Sequence, residues 1–363
     1  MWDKIKGFVI SAAVSGGITW LVLVSFPAIT DLLASREGIG ILPGILVGIA
    51  WIYIGIAIHE LGHLVMGKAT GYKFISFQVG PLYWSREEDG KIRFRIWKIS
   101  YAAGQCLMEP TEDEAGFKYF WYNFGGGLFN LILLAICWLL MHVELSAFWG
   151  AFFFIGILTN ALLFITNLAP QPWIHNDGYN IYSASKSSEA KISVQKNLLM
   201  VSALKQGKRY RDFSETAFHV PETADSSNFW VGSQILLEYA RLEDSGNLEA
   251  ALKELGRLNP EKLPLMLKGQ TKVEWLYHYL TREPNLEKAQ ELYKCKSVKR
   301  LITMEVPGTA RLQAAYAHFV LNDSQKSGKF LKQAWKQTEK LPYKGWQEME
   351  FEALQRLEKL LNN

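Results

Sequence analysis

The sequence predicts a mainly α-helical protein in two parts. A polytopic membrane α-helical domain of about four spans carries a small cytoplasmic β-hairpin, and a soluble α-hairpin domain of tetratricopeptide-like character follows it. Three observations lead there. Long uncharged apolar stretches fill residues 1–185, charged residues recur every few positions from Lys186 onward, and a helical pattern repeats from about Asn228. At 363 residues the chain exceeds the usual single-domain size, so two units are expected, 1–185 and 186–363. The mean hydropathy of +0.01 averages these unlike halves. A net charge of +4 with no isolated basic block argues against a nucleic-acid partner. Cys106, Cys137 and Cys295 are widely spaced and form no pairing framework, so disulfides are not expected.

Four uncharged stretches are long enough to cross a hydrocarbon core, which needs about 20 apolar residues in a helix. They cover 7–30, 40–58, 119–141 and 145–174. The first resembles a secretion signal in having Lys4 and Lys6 ahead of it, but its apolar core is long and lacks a small-x-small cleavage site, so it reads as a retained helix. Orientation follows from the basic residues of the short connections. Only Arg36 separates the first two spans, whereas Lys68, Lys73, Arg86, Lys91, Arg93, Arg95, Lys98 and Lys118 lie between the second and third. The third connection has no Lys or Arg. Both termini are therefore expected in the cytoplasm of a multi-pass cell-membrane protein.

The second stretch runs into His59-Glu60-Leu61-Gly62-His63, an HExxH pattern in an apolar helix. Positions i and i+4 share a helix face, so His59 and His63 can ligate one Zn²⁺ while Glu60 reaches water as general base. An accidental HExxH turns up in roughly one chain in a hundred, so the pattern alone is only suggestive. Membrane depth adds the weight, because ionisable residues are costly there without partners. A catalytic zinc needs a third protein ligand. Past the fourth stretch, Asn167-Leu168-Ala169-Pro170-Gln171-Pro172 leads to His175-Asn176-Asp177-Gly178. Asp177 is the preferred ligand and His175 its rival, since imidazole suits zinc equally well.

An apolar helix ending in HELGH, followed two spans later by an Asn-x-x-Pro run into Asp-Gly, resembles the site-2 protease family of intramembrane metalloproteases. The resemblance covers roughly residues 39–181. It implies zinc binding by His59, His63 and Asp177, water activation by Glu60, and a single-pass membrane protein or leader-peptide remnant as substrate. Gly125-Gly126-Gly127-Leu128-Phe129-Asn130 is similar to the family's Gly-Pro-x-x-Asn pattern, with Gly127 in the proline position. The family usually has Leu where Asn176 precedes Asp177 here. Asn130, Asn160 and Asn167 lie in or at the ends of the third and fourth spans, where amides bridge helices or donate to a substrate carbonyl or oxyanion. The family pattern favours the second role for Asn130.

In the loop after HExxH, 74–79 and 91–98 read as strands of an amphipathic hairpin turned at Asp89-Gly90. Its edge is a candidate for holding extended substrate, and its arginines equally suit lipid headgroups. In the C-terminal part, Tyr239-Ala240-Arg241-Leu242 followed by Asn247-Leu248-Glu249 is echoed by Tyr277-His278-Tyr279-Leu280 with Asn285-Leu286-Glu287, and more loosely by 316–334. The offset is close to the ~34-residue tetratricopeptide period, which predicts helical hairpins able to receive a cytoplasmic protein partner. The sequence therefore reads as a zinc metalloendopeptidase with one Zn²⁺ per chain. The alternative is a membrane-anchored helical-repeat adaptor whose zinc site is vestigial or structural.

Overall fold

A computed structural model describes residues 41–87, 89–96, 103–111, 116–143, 146–171, 176–341 and 343–362. The span expected at 7–30 and the rival ligand His175 lie outside the described residues. The chain divides into two compact units between Ser185 and Lys186.

The first unit is built on α1 (Ile41–Ala69), α2 (Tyr119–Leu140) and α3 (Ala147–Leu168). All three are long and apolar enough to cross a membrane. The 29 residues of α1 extend for about 43 Å at 1.5 Å per residue, beyond the ~30 Å of a hydrocarbon core. The helix runs past the uncharged stretch ending at Ile58 and through the HExxH pattern, as the i, i+4 reading requires. His59, Glu60 and His63 are buried against neighbouring elements, and their burial carries the helix onward to Ala69. Conversely, α3 ends at Leu168, short of the expected 174. Ala169 turns to ψ 116 because the following Pro170 disfavours helical backbone before it.

Small residues let these helices meet closely. A Cβ on Gly62 would fall 2.2 Å from the Gly125 carbonyl oxygen, and one on Gly125 2.5 Å from that of Gly62. The backbones of α1 and α2 thus touch directly, as small residues allow in membranes. On α3, Gly156 leaves room for the Trp51 indole, whose Nε1 donates to the Phe152 carbonyl at 2.8 Å.

Between α1 and α2 lies a sheet of β1 (Lys73–Val79), β2 (Leu82–Arg86), β3 (Ile92–Ile96) and β4 (Gly104–Glu109), antiparallel in the order β3-β2-β1-β4. This corrects the two-stranded hairpin expected from sequence. β2 lies between the two foreseen strands, because Gly80, at φ +54, reverses the chain straight after β1. The Asp89-Gly90 turn does close β2 onto β3, with Gly90 at φ +77. β4 has consecutive buried residues in place of alternation, so it gave no period-2 signal. The sheet has two edges, β3 and β4, and β4 is the one beside Glu60. A short helix, α4 (Asp177–Ala184), completes the unit.

The second unit is wholly helical in its described residues: α5 (Ser188–Lys205), α6 (Phe229–Asp244), α7 (Leu248–Gly256), α8 (Leu265–Thr281), α9 (Leu286–Lys294), α10 (Lys296–Ile302), α11 (Pro307–Phe319), α12 (Ser324–Thr338) and α13 (Lys344–Leu361), with a 3₁₀ turn at Tyr210–Asp212. The hairpins α6–α7, α8–α9 and α11–α12 share one device. The second helix of each is N-capped by a side chain accepting from the third backbone N–H: Asn247 from Ala250, Asn285 from Lys288 and Asp323 from Lys326. These caps stand 38 positions apart, the same offset that linked the first two copies in the sequence. The third copy is capped at Asp323, while Asn322 before it adopts φ 53, a conformation asparagine tolerates.

Candidate metal centre

Helix geometry places His59 and His63 one turn apart on α1, both facing α2 and α4. In each ring, Nδ1 meets an acceptor. His59 Nδ1 lies 2.7 Å from Asn130 Oδ1, and His63 Nδ1 lies 2.7 Å from the Tyr122 carbonyl. Asn130 is itself fixed, since its Nδ2 donates to the Gly55 carbonyl and to Asn160 Oδ1, each at 3.0 Å. Asn160 Nδ2 in turn donates to the Gly156 carbonyl at 2.9 Å. This chain of donors orients the Asn130 amide, so both imidazoles carry their proton on Nδ1 and turn an Nε2 lone pair inward.

Three electron-rich atoms then converge. His59 Nε2 and His63 Nε2 are 3.1 Å apart, and Asp177 Oδ2 lies 3.1 Å from the first and 3.3 Å from the second. With both ring protons committed outward, nothing within this triangle offsets the mutual repulsion of its lone pairs. A cation does so. Tetrahedral zinc with bonds of ~2.0–2.1 Å has ligand-to-ligand edges of about 3.3 Å, so the donor set fits that ion in type and spacing. Both imidazoles also have the outer partner typical of metal-binding histidines, as Nδ1 donation to an amide and a carbonyl illustrates.

Asp177 reaches the histidines because of local structure that the sequence reading did not foresee. Asn176 caps α4, accepting from Tyr179 N at 3.0 Å, and accepts from Gln171 N at 3.1 Å. Its Nδ2 donates to the carbonyls of Thr166 and Ala169, each at 2.6 Å. One side chain thus latches the start of α4 onto the end of α3, work that Leu in the same place could not do. Gly178 lets the two helices close, since a Cβ there would lie 2.0 Å from the Leu168 carbonyl oxygen. The Asp-Gly pair is therefore a carboxylate aimed at the histidines followed by a contact point, and not merely a turn. Asn180, one turn on, donates to Asn123 Oδ1 on α2 at 3.2 Å.

Glu60 is buried beside the triangle and accepts a hydrogen bond from the Cys106 backbone N–H of β4. Gly104 opens that strand because its missing side chain makes way for the carboxylate: a Cβ would lie 2.5 Å from Glu60 Oε1. The sheet thereby fixes the orientation of Glu60. The thiol of Cys106 is pushed up by burial and by the nearby Glu60 charge, which keeps it protonated and out of the ligand set.

Of the three asparagines singled out from sequence, Asn130 and Asn160 are fully buried and serve His59. Both amide hydrogens of Asn130 are engaged within the protein, which leaves none for a substrate oxygen. Asn167 donates to the Leu163 carbonyl of its own helix at 2.9 Å. Gly126, in the Gly-rich run, faces both imidazoles: a Cβ there would lie 2.5 Å from His63 Nε2 and 2.6 Å from His59 Nε2. Gly126→Ala should therefore weaken zinc binding by more than about tenfold, with helical content unchanged. Zinc content after dialysis against buffered metal, beside far-ultraviolet circular dichroism, checks this. Wild-type zinc affinity in the variant would show that the site can relax around the methyl group.

Comparison with known proteins adds one finding. Residues 47–148 match the model of peptidase family M50, a family of membrane zinc metallopeptidases, and this bears out the resemblance to the site-2 protease family over that segment. The match includes α1 from Val47, the sheet and α2, and hence His59, Glu60, His63 and Asn130. A search of curated proteins and a search of solved structures return no match.

Proposed function

We propose, from the M50 match over residues 47–148 and from the convergence of His59, His63 and Asp177, that this chain is an intramembrane zinc metalloendopeptidase. It hydrolyses peptide bonds of single-pass membrane proteins or leader-peptide remnants within or at the edge of the bilayer. The observation that carries the reading is the triangle of inward lone pairs 3.1–3.3 Å apart next to a buried carboxylate. His59, His63 and Asp177 hold one zinc per chain. When bound, that ion supplies Lewis acidity, polarising a carbonyl and making water more acidic.

The chain's own groups do the rest. Asn130 and the Tyr122 carbonyl keep both imidazoles in the tautomer that presents Nε2. Glu60, steadied by the Cys106 N–H, removes a proton from the attacking water and delivers it to the leaving amine. Burial of the site among α1, α2 and β4 limits bulk water, and so strengthens each electrostatic contact there.

The direct test uses purified protein in detergent or liposomes with a single-pass membrane substrate. Cleavage should stop on treatment with a zinc chelator and return when one equivalent of Zn²⁺ is restored. Cleavage that persists after complete removal of the metal would sink the enzymatic reading, and a metal-replete protein that cuts nothing would favour the membrane-anchored adaptor.

The basic residues between α1 and α2 support a cytoplasmic position for the β-sheet loop and for the C-terminus. Reporters inserted after Lys91 and fused at Asn363 should both read as cytoplasmic. External labelling at Lys91 would reverse the orientation and put the metal centre near the opposite face.

A further inference from the structure

The second unit contains a cavity of about 190 Å³ where α6, α8, α11 and α13 converge. Its lining is chemically lopsided: Arg282, Arg311 and Arg356 face one carboxylate, Glu243, while Ala353, Leu357 and Leu360 supply an apolar wall. Two of the guanidiniums are largely buried yet sparingly used. Arg311 has a side chain only 18% exposed and donates through Nε to Glu350 at 2.7 Å, its one side-chain hydrogen bond among the described residues. Its plane lies over the Tyr277 ring, with Cζ 4.5 Å from the centroid, which fixes the fork in place. Arg282, 21% exposed, pairs with Glu243 through a single Nη.

A guanidinium has five N–H donors, and leaving them without acceptors in a desolvated site is costly. Among the described residues, both Nη groups of Arg311, and the Nε and remaining Nη of Arg282, have no hydrogen-bond acceptor at the cavity. Arg356 adds a third positive charge at the mouth, 58% exposed. Its nearest carboxylate, Glu352, is 3.9 Å away and is also paired with Arg209. Glu274 restores only part of the balance, because burial and the neighbouring Glu243 push its carboxyl up to about 7.

We infer that this cavity is a binding site for the C-terminal residue of a peptide, with the α-carboxylate on the Arg282–Arg311–Arg356 cluster and an apolar side chain against Ala353, Leu357 and Leu360. The planar forks suit a carboxylate better than a point charge would. Size restricts the ligand further. A volume below the ~300 Å³ at which drug-sized sites begin suits a single terminal residue, with the rest of the peptide outside. The assignment is independent of the zinc centre and would stand or fall without it.

The experiment uses the full chain in detergent and a fluorescein-labelled peptide, Gly-Gly-Ser-Ala-Ala-Leu, as free acid and as C-terminal amide, read by fluorescence anisotropy. The acid should bind at least about tenfold more tightly than the amide, the cost of losing a charge-assisted pair. Arg356→Ala, at an exposed position, should weaken the acid by about tenfold, and so should Arg311→Lys, which retains the charge but not the fork. Circular dichroism confirms that each variant folds. N-acetyl-leucine should displace the labelled acid, whereas acetate at the same concentration should not. Equal binding of acid and amide, no binding of either at about 1 mM, or unchanged binding by both folded variants overturns the site. Displacement by acetate as effective as that by N-acetyl-leucine also overturns the peptide assignment, since it would identify a receptor for small free acids.

Discussion

Glu60→Gln should abolish peptide-bond cleavage while leaving zinc in place. The substitution preserves side-chain shape and an oxygen able to accept from the Cys106 N–H, so β4 keeps its seat beside Gly104. It disturbs none of the three inward lone pairs, which belong to His59, His63 and Asp177. What disappears is proton acceptance, since an amide cannot take a proton from water at neutral pH. General-base catalysis is worth about 10²- to 10⁴-fold, so turnover should fall by that much or more with substrate binding intact. Matched measurements of zinc per chain and of single-turnover cleavage separate the two effects. Near-wild-type turnover in Glu60→Gln would remove this residue from the mechanism, and loss of zinc in the same variant would assign it to the metal shell.

The histidine pair and Glu60 were legible in the sequence because a helix imposes its own geometry. Once an apolar stretch is read as α, residues 59 and 63 share a face without knowledge of anything else. The span ends were less legible, since helix length here depends on partners. His59 to Ala69 stays helical through packing on α2 and the sheet, and Pro170 stops α3 before the apolar composition does. β4 was invisible because three consecutive residues are buried, Cys106, Leu107 and Met108, and a short run without alternation has no strand period. The glycines were legible as small residues but not as particular contacts. That Gly126 faces imidazoles, Gly104 a carboxylate and Gly178 a carbonyl depends on elements distant in sequence.

Asn176 illustrates the opposite case, where a departure from a family pattern has a structural cause. It stands where the family usually has leucine. Its four hydrogen bonds tie Thr166, Ala169, Gln171 and Tyr179 together, and they set the angle at which α4 leaves α3. The asparagine thus supports the carboxylate it precedes. The 38-residue period of the second unit was partly legible for a similar reason: caps are local chemistry, so Asn247 and Asn285 stood out, whereas the third cap changed to Asp323 and blurred the repeat.

Asp177→Ala should deplete the site of zinc and eliminate cleavage together. Two imidazoles alone hold the ion poorly, and the variant would leave them 3.1 Å apart with no carboxylate in direct reach of a bound dication. The loss in affinity should exceed the 10- to 100-fold typical of outer-shell partners. The fold should survive, because the latch of α4 is made by Asn176 and Gly178 and not by the Asp177 carboxylate. Asn176→Ala provides the contrast. There the ligand remains but its helix is released, so zinc should weaken by about 10- to 100-fold and recover in part at high Zn²⁺. His175→Ala is the control for the rival ligand, and zinc should remain near wild-type occupancy. Zinc retained in Asp177→Ala and lost in His175→Ala would exchange the two assignments. Full occupancy in both variants would leave a two-histidine site with no third ligand, and the adaptor reading would then account for the chain better than the enzymatic one.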